Sequence, residues 1–94
     1  MDLKKLLASS SRQKILKALS NSKQVNVMGL VQRINSTYNE TNRNLKIFEK
    51  EDIITNYRCG RQRLIMLNRE NPRTRILLQA LIILETENTT ATPY

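Results

Sequence analysis

Between residues 37 and 67 the hydrophobic pattern changes from the period of a helix to that of paired strands, with almost nothing in between. Over residues 37–51, steps of 100° centred on Leu45 place Thr41 and Phe48 beside it and Tyr38 nearby. The same steps gather Asn39, Arg43, Lys46 and Lys50 on the opposite face, while Glu49, Glu51 and Asp52 collect at the far end. Residues 53–58 and 63–68 are β-branched and apolar-rich runs of strand length. They flank Cys59, Gly60, Arg61 and Gln62, where Gly60 can supply the positive φ of a hairpin turn. The hairpin carries Arg58, Arg61, Arg63 and Arg69 and no acidic residue between Asn56 and Arg69. The local order is therefore a polar-faced helix capped by Thr37, followed directly by a basic ribbon.

The remainder of the chain supplies a scaffold for that pair. Ninety-four residues make one small domain, near the lower size at which a single apolar core suffices. With 39% apolar but only 4% aromatic residues, that core must be built from Leu, Ile and Val. Residues 2–8 carry Leu3, Leu6 and Leu7 at helical spacing. Ser10 with Gln13 fits a reciprocal capping box for a helix whose stripe is Ile15, Leu16, Ala18 and Leu19. Val25 forms a brief strand, and Asn26 caps a short helix that turns Val27, Leu30, Val31 and Ile34 inward. Asn35 and Ser36 then make a tight turn.

After the ribbon, Asn71 and Pro72 are a cap and a first-position proline for a last helix. From Ile76 to Leu84 every residue but Gln79 is apolar, more than the single stripe a surface helix needs. That excess predicts cover on two sides, by its own domain and by a second copy of the chain. The expected pairing residues are Leu3, Leu7, Ile76, Leu77, Ala80, Leu81 and Leu84. The domain then spans residues 1–86 with its pairing helix at 72–86, and residues 87–94 read as a disordered tail.

Charge narrows the partner. Sixteen Lys and Arg against eight Asp and Glu give a net +8, which favours polyanions. A helix with small polar groups at its start and an arginine-tipped ribbon together suit duplex DNA. Its major groove admits a helix, and its phosphates and minor groove attract guanidinium groups. The single Cys59 leaves no internal disulfide framework, and the apolar run from Ala80 to Leu84 is far short of the ~20 residues of a membrane span. No leader-like segment opens the chain, so the expected setting is cytoplasmic. With no His, two Gly and no phosphate-cradling loop, nothing resembles a catalytic constellation, and neither a cofactor nor a metal site is expected. Enzymatic activity is thus not expected.

At this point a resemblance becomes specific. Residues 12–19, RQKILKAL, resemble the first core helix of ArsR-like winged helix-turn-helix transcription regulators, and residues 27–34, VMGLVQRI, resemble the second. Without a gap, residues 37–54 follow the family's recognition-helix pattern through NLKIFEK at 44–50. Asp52 stands where Gly is common, and Asp tolerates the left-handed conformation. Asn35 and Ser36 replace a turn that commonly contains an apolar residue. The metal-sensing members use Cys and His ligands that this chain lacks. The resemblance implies a mainly α fold with a small β-hairpin, a winged helix-turn-helix with an added C-terminal dimerisation helix.

It also implies that Tyr38, Asn39, Glu40, Asn42 and Arg43 reach base edges or nearby phosphates. Lys46 and Lys50 suit phosphates, and Arg58, Arg61 and Arg63 of the wing at 54–68 track phosphates or enter the minor groove. Asn can pair adenine in two places and Arg guanine. The leading expectation is a homodimeric, sequence-preferring regulator of transcription, a repressor by occlusion of double-stranded DNA. The alternatives are a sequence-indifferent architectural coat on DNA, and a winged helix that binds protein within a transcription complex.

Overall fold

Local capping sets most of the boundaries in the computed structural model, which describes residues 2–90, with side chains through Thr86. The Asp2 carboxylate accepts the Lys5 N–H and opens α1 (Leu3–Leu7). Ser9 caps α2 (Ser10–Ser20), its hydroxyl accepting from the Ser11 N–H at 3.2 Å. Asn26 caps α3 (Val27–Arg33), accepting from the Met28 and Gly29 N–H groups. Thr37 caps α4 (Tyr38–Lys50) through the Glu40 N–H at 3.1 Å. Asn71 caps α5 (Pro72–Thr90) through the Arg73 N–H at 3.0 Å. Each cap satisfies donors that the first helical turn leaves without a partner.

Two expectations about element ends are corrected. The cap of α2 is Ser9, not Ser10, and Gln13 does not close a capping box. Its amide instead reaches back to the Leu7 carbonyl at 2.6 Å, joining α2 to α1. At the other end α5 does not stop at 86, because its backbone stays helical to Thr90. No glycine or proline interrupts residues 85–90, and Thr86 returns its hydroxyl to the Ile82 carbonyl. The part of the expected tail at 91–94 lies outside the described residues.

The sheet is small and antiparallel. β1 (Val25–Asn26) and β2 (Ile54–Cys59) lie on either side of β3 (Gln62–Leu67), in the order β1-β3-β2. Ile54 faces Leu67, and Cys59 faces Gln62, which leaves Gly60 and Arg61 as a two-residue turn. Gly60 has φ 64° at the first central position, where a type II′ turn needs a residue without Cβ strain. Two other chain reversals use left-handed residues that are not glycine, Asn35 (φ 54°) between α3 and α4 and Asp52 (φ 58°) between α4 and β2. Short polar side chains tolerate that region better than branched ones.

The core lies where α2, α3, α4 and the inner sheet face meet α5. Ile15, Leu16, Leu30, Leu45, Phe48, Ile53, Ile65 and Leu77 are essentially without solvent contact. Each such side chain contributes roughly 1.5–3 kcal/mol of burial. Phe48 is the one aromatic ring at the centre, as the aliphatic composition requires. Among the described residues no helix is long and apolar enough to cross a membrane.

On α5 the expected pairing residues separate into two groups. Leu77 (0% exposed) and Leu81 (4%) point into the chain's own core, and Leu7 on α1 (8%) is buried with them. Leu77 and Leu81 are therefore core residues, and Leu7 is buried except where it borders the trough between α1 and α5. The outward face carries Ile76 (47%), Ile82 (61%) and Ile83 (57%), with Leu3, Ala80 and Leu84 half-buried beside them. Between α1 and α5, Leu3, Leu7, Ala80, Ile83 and Leu84 line an apolar trough of about 410 Å³.

Candidate nucleic-acid interface

The outer face of α4 carries what the helical spacing predicted. Asn39, Arg43, Lys46 and Lys50 are exposed, opposite a buried row of Thr41, Asn44, Leu45 and Phe48. Thr37 and Ser36 hold the helix start, so Tyr38, Asn39 and Asn42 stand on its first turns, close to the wing formed by β2 and β3. Lys50 lies twelve residues beyond Tyr38, about 18 Å along the axis. It lines a different hollow with Asp2, Lys5 and Glu51.

Arg63 joins the wing to the helix. Its Nη1 donates to the Tyr38 hydroxyl at 2.8 Å and to Asn42 Oδ1 at 3.0 Å. A concavity of about 360 Å³ lies beside this contact, lined by Asn26, Val27, Met28, Tyr38, Arg61, Gln62 and Arg63. The start of α3, the start of α4 and the wing thus open onto one hollow. Arg58 and Arg61 are exposed nearby on the ribbon, and Arg58 stands opposite Arg63 in the ladder. No acidic side chain lines the hollow, so its field is that of the guanidinium groups.

One expected contact has another role. Both carboxylate oxygens of Glu40 are taken up internally, one by the Ser11 hydroxyl at 3.0 Å and the other by the Ser36 hydroxyl at 3.1 Å. Glu40 ties the start of α2 to the start of α4 and is a scaffold residue, not a reader of bases. Arg69 turns away from the wing and donates to the Ser20 carbonyl at the end of α2. Of the amino-terminal lysines, Lys17 pairs with Glu85 across α2 and α5.

The hollow also contains residues that sequence reasoning did not select. Met28 is an exposed apolar side chain at the start of α3, and Asn26 and Gln62 sit beside it. Met28 falls outside the inward stripe of α3, which was the one signal for it. Asn44 is buried on α4 and accepts from Arg12 at 3.1 Å, while Arg12 also donates to the Lys5 carbonyl. That arginine ties α1, α2 and α4 together. Among the described residues no group of His, Cys, Asp or Glu side chains could hold a metal ion.

No family model matches the chain, and no curated protein does. Solved structures do. The AntR antimony-specific transcriptional repressor superposes with a TM-score of 0.73 at 24% identity, over 93% of this chain and 78% of AntR. Mb0332 from Mycobacterium bovis, described as a homodimeric winged helix-turn-helix DNA-binding domain and a possible ArsR-family regulator, gives 0.75 at 15% identity, over 98% and 83%. Reduced HlyU from Vibrio cholerae gives 0.72 at 17%, over 87% and 83%.

The chain has the ArsR-type winged helix-turn-helix fold. In this ArsR-type fold α3 and α4 are the helix pair, and the β2–β3 ribbon is the wing. The likeness extends through α5, since nearly the whole chain is covered in the Mb0332 comparison. At these identities the likeness concerns backbone architecture, and the side chains of the hollow are this protein's own.

Proposed function

We propose that this winged helix is a homodimeric regulator of transcription that binds double-stranded DNA with sequence preference and represses by occlusion. The observation that carries the reading is the Arg63 contact with Tyr38 and Asn42, because it puts the polar side of α4 and the arginine wing on one surface. In that arrangement Asn39, Asn42 and Arg43 read base edges from the major groove. Lys46, Arg58 and Arg61 hold phosphates, and Tyr38 positions the first turn. Lys50 is a phosphate contact at the far end of the helix.

The outward isoleucines of α5 support pairing. Ile76, Ile82 and Ile83 are exposed, with Leu3, Ala80 and Leu84 half-buried, and a second copy covers these apolar side chains. Two copies related by a two-fold axis then present their α4 helices to successive major grooves, about 34 Å apart. The resemblance to a repressor and to a homodimeric DNA-binding domain agrees with both halves of the proposal.

Selection of bound duplexes from a random pool tests it. The expected product is an inverted repeat, bound at least ~10³-fold more tightly than bulk DNA. With some eight phosphates neutralised, log affinity falls against log salt with a slope of about −7. A steep slope without sequence enrichment would instead indicate an architectural coat. A slope near zero together with a monomeric mass would indicate a protein-binding module.

A further inference from the structure

A guanidinium group has donors and no acceptor. The atom of Asn42 that Arg63 touches at 3.0 Å is therefore the side-chain carbonyl oxygen, and the Tyr38 oxygen at 2.8 Å likewise accepts. Both bonds come from the same nitrogen, Nη1. Each oxygen keeps a second lone pair, but the bond ties the Asn42 oxygen to the wing, and the groups Arg63 does not engage are the Asn42 NH₂ and the Tyr38 O–H, both donors. Asn39, one turn away on the exposed face, makes no such bond among the described residues and keeps both ends of its amide.

We propose that Arg63 is a positioning residue that sets base preference by engaging the Asn42 carbonyl oxygen, so that Asn42 meets DNA through its NH₂ and favours guanine over adenine. The proposal rests on the DNA-binding reading given above. Recognition of adenine by an amide needs the carbonyl oxygen to accept from N6 while the NH₂ donates to N7. Arg63 holds that oxygen. Guanine presents two acceptors in the major groove, N7 and O6, whereas adenine presents N7 beside the N6 donor, so an amide that offers only its NH₂ gains most from guanine. The Tyr38 O–H in turn faces a partner that only accepts, a phosphate oxygen. A wing residue thereby governs what a residue on the reading helix can recognise, without itself touching a base.

The test is selection from a randomised duplex pool with four full-length chains: wild type, Arg63→Met, Arg63→Gln and Arg58→Met. Thermal melting followed by circular dichroism checks that each is folded. Wild type should show one half-site position at which guanine is favoured over adenine by roughly tenfold. Arg63→Met leaves the Asn42 oxygen without its donor, so adenine should rise at that position alone by a similar factor, and Arg63→Gln, which keeps a shorter amide donor, should raise it less. Arg58→Met removes the same charge from the same ribbon and should weaken binding to every sequence while leaving base preference unchanged. If the Arg63 variants bind more weakly with the wild-type preference intact, Arg63 is a phosphate contact and the proposal is overturned. If wild type itself enriches no sequence, the fault lies in the DNA-binding reading, and the proposal goes with it.

Discussion

Arg58 and Arg63 are directly opposed across the β2–β3 ladder, so their side chains leave the same face of the ribbon. Like charges in that position repel, and a two-stranded ribbon has little else at its tip to offset them. The arrangement is costly to the free chain and favourable only beside an anion. Replacing Arg58 with Thr should raise the free energy of unfolding by about 0.2–1 kcal/mol at low ionic strength, a gain that shrinks as salt is added. DNA affinity should fall at the same time, with a salt slope shallower by about one. Chemical denaturation and DNA titration of one preparation measure both. A loss of stability would show that the two guanidinium groups do not repel.

Glu40 makes the opposite prediction from the one its place on the reading helix suggests. A carboxylate facing DNA would repel phosphate, and its removal would tighten binding at no cost to the fold. Here its two oxygens accept from Ser11 and Ser36. Glu40→Ala should therefore destabilise the chain by about 1.5–3 kcal/mol, the range for hydrogen bonds to a charged group. Thermal melting decides between the two roles.

The two kinds of apolar residue on α5 should respond differently to the same charge. Leu81 is interior and Ile83 is exposed. Leu81→Glu buries a carboxylate without a partner and should abolish folding. Ile83→Glu should leave the melting of the monomer nearly unchanged while halving the mass seen by sedimentation equilibrium. An unchanged mass for Ile83→Glu would place the contact between copies elsewhere.

Thr41 and Thr74 are fully buried, and neither hydroxyl has a hydrogen-bond partner. Valine has nearly the same shape without the hydroxyl. Thr41→Val and Thr74→Val should each raise stability, by about 1 kcal/mol, since an unsatisfied buried polar group costs about 1–3 kcal/mol. Urea denaturation of the two variants tests this, and a decrease would mean that the hydroxyls are satisfied in solution.

What was legible in the sequence was local. The caps at Asn26, Thr37 and Asn71, the turn at Gly60 and the left-handed Asp52 each follow from chemistry within a few residues of the chain. The division of α4 into a polar and an apolar side follows from one helical period. Three successive serines, however, are nearly equivalent as caps, and the choice of Ser9 accompanies Gln13 reaching across to Leu7. On α5 the one polar residue between Ile76 and Leu84 is Gln79, and 100° steps set Ile82 and Ile83 beside it and Leu77 and Leu81 opposite, a faint signal that the expectation of a pairing face did not use. The destinations of Glu40, Asn44 and Arg69 lie 29, 32 and 49 residues away, beyond any periodic signal. For the same reason the bridge from Arg63 to Asn42 could only be seen once the ribbon was folded against the helix.

The start of α5 is fastened to the end of α4. Asn71 donates its amide to the carbonyls of Glu51 and Asp52, Asn68 donates to Asp52, and Arg73 pairs with Glu51. In a dimer built on α5 this joint makes each reading helix rigid with respect to the two-fold axis. Inserting one base pair between half-sites turns one of them by about 35° around the duplex, and no hinge lies at this junction to follow it. Under the proposed pairing and DNA binding, the sites this protein takes would be constrained as strictly in their spacing as in their letters.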